Sequence, residues 1–218
     1  MIPGKTDQGG LPRLPFAPRV EGPPPWQPSP AQKSAQDQLA LLLKRIIEAL
    51  GGLTTIIVVG PKGSGKSRLI EETLSDQSDI DALTLLADDL DAMDLFGEIN
   101  SAASGGGALV LEARTPPETW YRDEKAPAPP DLHSRLTAAP QVVLDRPSAD
   151  ALVPLLISDL KRHGQRLSET ELKQVAEMLP RHYGAPRAFC TALDAAPTAM
   201  KRREQLQWAA QKAEIGSR

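Results

Sequence analysis

Leu53-Thr-Thr-Ile-Ile-Val-Val59 runs straight into Gly60-Pro-Lys-Gly-Ser-Gly-Lys66-Ser67, and no other stretch limits the fold so tightly. The order predicts a buried strand, a glycine-rich turn and a helix that continues through Leu74. The spacing G-x-x-x-x-G-K-S between a strand and a helix is the phosphate-binding P-loop pattern. Glycines at 60, 63 and 65 let backbone N–H groups approach phosphate oxygens, with Pro61, Lys62 and Ser64 carried between them in the same loop. The helix N-terminus adds partial positive charge. Lys66 is placed to reach the β- and γ-phosphates, and the Ser67 hydroxyl to sit on Mg²⁺. The expected ligand is a purine nucleotide.

A chain of 218 residues has room for one α/β core and a small second domain. Residues 32–146 carry 11 basic and 18 acidic side chains, whereas 147–218 carry 11 basic and 8 acidic. The acidic core argues against a broad nucleic-acid face, which leaves DNA contact weak or indirect, through the basic C-terminal part. The single cysteine, Cys190, excludes an internal disulfide and suggests a reducing compartment. There is neither a run of about 18 apolar residues nor a charged-then-apolar signal pattern, so a cytoplasmic protein without membrane contact is expected.

Residues 1–31 contain nine prolines and read as an extended or disordered arm. Leu11, Leu14, Pro15 and Phe16 make a short apolar stretch on it, which either packs back on the core or docks in a partner's groove. From Ser34 the pattern becomes helical, with Leu39, Leu42, Leu43, Ile46, Ile47 and Leu50 on one stripe and Gly51-Gly52 as its stop. After the P-loop helix, Leu83-Thr-Leu-Leu-Ala-Asp88-Asp89 is an apolar strand ending in two carboxylates. That is what a P-loop protein uses to hold Mg²⁺, through Asp88, and to polarise water, through Asp89. Asp91–Asn100 reads as the next helix and Ala108-Leu-Val-Leu-Glu112 as another buried parallel strand. Residues 116–130 hold five prolines and read as a loop; Asp131 is the expected N-cap of a short helix. Gln141–Leu144 is the last strand. Four helices follow, over 149–163, 168–179, 186–196 and 199–215, with Ser168-Glu-Thr-Glu171 resembling a capping box. The expected organisation is an arm (1–31), a three-layer α/β P-loop core (32–146) and an all-helical lid (147–218). His133, His163 and His182 lack metal-ligand spacing and read as surface or structural.

A P-loop core followed by a helical lid is the AAA+ layout. The chain resembles the DnaA/Hda branch of AAA+ proteins, most of all the short Hda-type regulators of DnaA in α-proteobacteria. The matching residues are Gly60–Ser67, Leu86-Ala-Asp88-Asp89, Leu109-Val-Leu-Glu-Ala-Arg-Thr-Pro-Pro117, Trp120, Asp131-Leu-His-Ser-Arg135-Leu-Thr-Ala-Ala-Pro140 and Gly184-Ala-Pro-Arg187-Ala. The resemblance implies bound ADP or ATP with Mg²⁺. It implies that Arg135 is an arginine finger reaching a neighbouring subunit's nucleotide, and that Arg187 is a sensor 2 residue on the lid. The partners it implies are DnaA, the sliding clamp of DNA polymerase (reached through residues 8–16) and further copies of the chain. Three departures are visible. The clamp motif has only its second half, Leu14-Pro15-Phe16. Glu112-Ala113-Arg114 stands where sensor 1 carries a small polar residue. About 20 residues separate Ser67 from Asp88, too few for one edge strand and its helix, which implies a four-stranded sheet.

The function these readings favour is a regulator of replication initiation that promotes ATP hydrolysis on DnaA. A self-contained ATPase and a nucleotide-binding adaptor without turnover are the alternatives.

Overall fold

Thr55, Ile56, Ile57, Val58 and Val59 are all buried, as a central strand with helices on both faces requires. The computed structural model of the chain describes residues 26–48, 54–77, 79–105, 107–121 and 128–215. The arm readings at Leu11, Leu14, Pro15 and Phe16, and the Gly51-Gly52 stop, lie outside them. The chain divides into two compact units, one spanning Pro28–Arg146 and the other containing Pro147–Arg218.

In the first unit, α1 (Pro30–Glu48) is followed by β1 (Thr55–Val59), α2 (Lys66–Ser75), β2 (Ala82–Leu86), α3 (Ala92–Gly105), β3 (Ala108–Ala113), α4 (Pro130–Ala138) and β4 (Gln141–Val143). The four strands are parallel, in the order β2-β3-β1-β4. This is the four-stranded sheet that the short interval before Asp88 implied. Side chains alternate between its faces. Ile57, Val59, Leu109 and Leu111 join Leu95 and Ile99 of α3 and Leu132 and Leu136 of α4 in one core cluster. The opposite face carries Ile56, Val58, Val110 and Val142, all fully buried, on the side of α1 and α2, which pack on each other. The strand β2 departs from the buried reading. It is an edge strand, and Leu83 and Leu86 are half exposed, between Asp81 at one end and Asp88 and Asp89 at the other.

Helix starts differ from the sequence reading at three places, one being the last helix, which begins at Arg202 rather than at 199. α1 begins at Pro30 rather than near Ser34. Ser29 N donates to Gln32 Oε1 (3.1 Å) and Gln32 N donates to Ser29 Oγ (3.3 Å), a reciprocal cap that Pro30, in the first helical position, leaves intact. Asp131, expected as an N-cap, lies inside the first turn of α4, because Pro130 takes the first helical position ahead of it.

The second unit comprises α5 (Ala149–Arg162), α6 (Glu169–Met178), α7 (Ala185–Asp194) and α8 (Arg202–Ile215). Leu152, Leu156 and Leu160 of α5 face Val175, Phe189, Cys190 and Leu193, and the alanines 209, 210 and 213 bring α8 close to them. Ser168 and Glu171 form the anticipated capping box. His163 Nδ1 lies 2.6 Å from Asp194 Oδ2, a structural pairing across the unit. No described helix is long and apolar enough to cross a membrane.

Asp159 of α5 is the one buried charge among the described residues of this unit. It is 6% exposed, and burial raises its pKa above the ordinary 3.8 despite the opposing Arg162, His163 and Arg187. A raised carboxylate supports the fold fully below its unfolded value and loses that support as pH rises through the folded one. Asp159→Asn is therefore expected to raise the urea midpoint near pH 7, with the gain shrinking toward pH 4. Urea titrations at three pH values check this, and an asparagine variant less stable than wild type at pH 7 would contradict it.

Candidate nucleotide-binding site

The loop between β1 and α2 is clamped from both sides before it turns. Gly60 N donates to Ala113 O of β3 (3.1 Å), and Leu144 N, just beyond β4, donates to Val59 O (2.8 Å). A side chain at 60 does not fit: its Cβ would lie 2.4 Å from Leu144 O and 2.9 Å from Ser64 Oγ. Further on, Gly63 (φ 80°) and Gly65 (φ 85°) take left-handed backbone, which glycine adopts at no steric cost. Gly65 is also the N-cap of α2, so the helix begins at Lys66 without a side-chain cap. Lys62 is exposed, whereas Ser64 is fully buried and its hydroxyl has no hydrogen-bond partner among the described residues.

Lys66 is 5% exposed. Its ammonium donates to Gly60 O (2.7 Å) and Pro61 O (3.2 Å), and Glu112 Oε1 stands 3.7 Å away. Burial lowers its pKa, against the carboxylates of Glu112 and then Asp88, which raise it. Ser67 Oγ donates to Glu112 Oε1 at 3.0 Å. Asp88 lies with Asp89 in a single 3-10 turn after β2 and pairs with Arg114 Nε at 3.4 Å. Asp89 is exposed.

The structure thus brings Lys66, Ser67 and Glu112 into direct contact, with Asp88 acting on Lys66 through its charge. The contact of Glu112 with the loop was not read from the sequence. It follows from register, since Glu112 pairs with Val58, one residue before the ends of both strands, and so lies beside the start of the loop. The only sequence signal was a carboxylate closing the apolar run 108–111.

These residues fit a nucleotide with Mg²⁺. The positive-φ glycines, the start of α2, the buried Lys66 and the unpartnered Ser64 hydroxyl are what a phosphate cradle needs. Ser67, Glu112 and Asp88 are the oxygen donors that would hold the cation, which when bound neutralises phosphate charge.

No protein-family model matches the chain, and no curated protein matches it. Among solved structures, it is similar to domain III of the replication initiation protein DnaA from Thermotoga maritima. The TM-score is 0.60 at 14% identity, covering 87% of this chain and 95% of that domain. AMPPCP-bound DnaA from Aquifex aeolicus follows at 0.59 and 13%, over 87% of this chain and 68% of the other. The RuvB Holliday junction branch migration motor of Thermotoga maritima gives 0.54 and 13%, over 85% and 69%.

The fold is AAA+-like.

Within that fold the two arginines singled out from the sequence sit in different units. Arg135 is exposed on α4, its guanidinium 5.6 Å from the centroid of the Phe96 ring, a cation–π contact that holds it against α3. Arg187 is exposed in the first turn of α7, in the helical unit, where its charge acts on Asp159.

The loop geometry separates two glycines that look alike in sequence. Gly60→Ala forces a Cβ into the Leu144 carbonyl and is expected to cost about 1–3 kcal/mol. Gly97→Ala, on the exposed face of α3 with nothing within 4 Å of its Cβ, is expected to gain about 0.5–1 kcal/mol. Chemical denaturation of both variants checks the pair of signs.

Proposed function

We propose that this chain is an adenine-nucleotide-binding AAA+ regulator of replication initiation, which docks on DnaA and promotes hydrolysis of DnaA's ATP. The observation that carries the reading is the loop itself, with Lys66 buried at its centre and Ser64 unpartnered beside it, in a chain that matches DnaA domain III over 95% of that domain. Lys66 would bind the phosphates, Ser67 the cation, and Arg187 the phosphates from the lid. Asp89 is the water-polarising candidate. Asp88 is tied to Arg114, which favours a protein that holds its own nucleotide over one that turns it over quickly.

Arg135 would act in trans. Its guanidinium is exposed and oriented by Phe96, so it is available to a neighbouring subunit's nucleotide, where a planar cation stabilises charge on the transferred phosphoryl group. Leu11, Leu14, Pro15 and Phe16 would tether the protein to the sliding clamp.

Two variants test separate halves of this reading. Lys66→Ala should abolish ADP binding, and with it the rise in melting temperature that bound ligand gives wild type. An alanine variant stabilised by ADP as much as wild type would place the nucleotide elsewhere. Arg135→Ala should fold with a loss of about 0.5–1 kcal/mol for the exposed cation–π contact and still bind ADP. It should lose stimulation of DnaA, an effect on the order of 10³-fold in rate, and Arg135→Lys should rescue little of it. The measurement is DnaA-bound ATP remaining with time. Full stimulation by the alanine variant would remove the trans-acting finger.

A further inference from the structure

Glu112 occupies an unusual place for a carboxylate. It is 13% exposed at the end of β3, accepts a hydrogen bond from Ser67 Oγ at 3.0 Å, and stands 3.7 Å from Lys66 Nζ. The two loop side chains that serve phosphate and cation therefore already face a negative charge. Any anion drawn to Lys66 and Ser67 approaches Glu112 as well, and like charges a few ångströms apart in a partly dry site repel strongly. A divalent cation reverses that repulsion, because it takes hard oxygen donors and the Glu112 carboxylate is the one in contact with Ser67. The other acid near the loop, Asp88, is 30% exposed and has its own partner in Arg114.

We propose that Glu112 makes nucleotide binding conditional on a divalent cation, excluding the free nucleotide and admitting its Mg²⁺ complex. Glu112, which touches both loop side chains, is then the carboxylate that sets this condition. The inference rests on reading residues 60–67 as the nucleotide site. It assigns a working role to a residue that sits where the AAA+ pattern has a small polar group. A purely structural Glu112, there only to neutralise Lys66, would not make affinity depend on the cation.

The experiment is a titration of fluorescent ADP into the full-length protein, with Mg²⁺ and with EDTA, for wild type, Glu112→Gln, Glu112→Ser and Glu112→Asp. Wild type is expected to lose at least about tenfold in affinity without the cation. Glu112→Gln should bind in EDTA about fivefold or more tightly than wild type, with its Mg²⁺ benefit reduced to about threefold or less. Glu112→Ser removes the charge as glutamine does and should likewise lose the dependence, whereas Glu112→Asp keeps the charge and should keep it. A glutamine or serine variant that retains the wild-type ratio overturns the proposal. If melting curves show that Glu112→Gln does not fold, Glu112→Ser decides: a lost ratio supports the role of Glu112 and a wild-type ratio rejects it. Wild type that binds ADP equally with and without cation removes the role of Glu112 alone. Wild type that binds under neither condition removes the nucleotide reading together with it.

Discussion

A positive charge buried at the centre of a loop must be answered by oxygen within reach, and the architecture around Lys66 is built to supply it. Removing an ammonium group from water costs several kcal/mol unless donors are satisfied. Here the Gly60 and Pro61 carbonyls accept its protons. Those carbonyls stand where they do because Gly60 is wedged against Leu144 and hydrogen-bonded to Ala113, so the ends of β3 and β4 fix the loop between them. β4 is only three residues long, yet its continuation at Leu144 forms the wall that admits nothing larger than glycine. A short strand can matter more through its backbone than through its side chains.

Around that lysine the charges alternate along a line of strand ends. Lys66 faces Glu112, and Asp88 faces Arg114 across neighbouring strands β2 and β3. Burial works against the lysine's charge while the two carboxylates sustain it. Binding a phosphate in such a place is an exchange of partners rather than the filling of a positively charged hollow. Selectivity then comes from which incoming species can replace or accommodate the resident carboxylate. That distinguishes this loop from one whose lysine has only backbone and water for company.

Much of the fold was legible because local rules agreed with one another. The strand, the glycine spacing and the Lys-Ser pair pointed to one arrangement, and the Ser168–Glu171 box marked a helix start that formed as read. The start of α1 was missed because Pro28 and Pro30 resemble the proline-rich arm before them, although proline is well suited to a first helical position and Ser29 with Gln32 completes the cap. Within the site, the positions of the loop residues were local facts and could be read. The contact between Glu112 and Ser67 spans 45 residues and depends on which strand neighbours β1, so no local pattern contains it. The partner of Asp88 was hidden for the same reason, since Arg114 follows a different strand, β3.

The edge strand β2 leaves half-exposed leucines at 83 and 86 beside an unpaired row of backbone groups, a template on which another strand can add. Its ends are acidic, with Asp79 and Asp81 before it and Asp88, Asp89 and Asp91 after it. Two such edges brought together antiparallel would set aspartate against aspartate at both ends, where like charges directly opposite destabilise pairing. The bracket of acids therefore works as a colloidal safeguard: it keeps a sheet with a bare hydrophobic margin from polymerising through that margin in a crowded solution. Without those charges the edge would lose that protection and expose the chain to assembly from its open side.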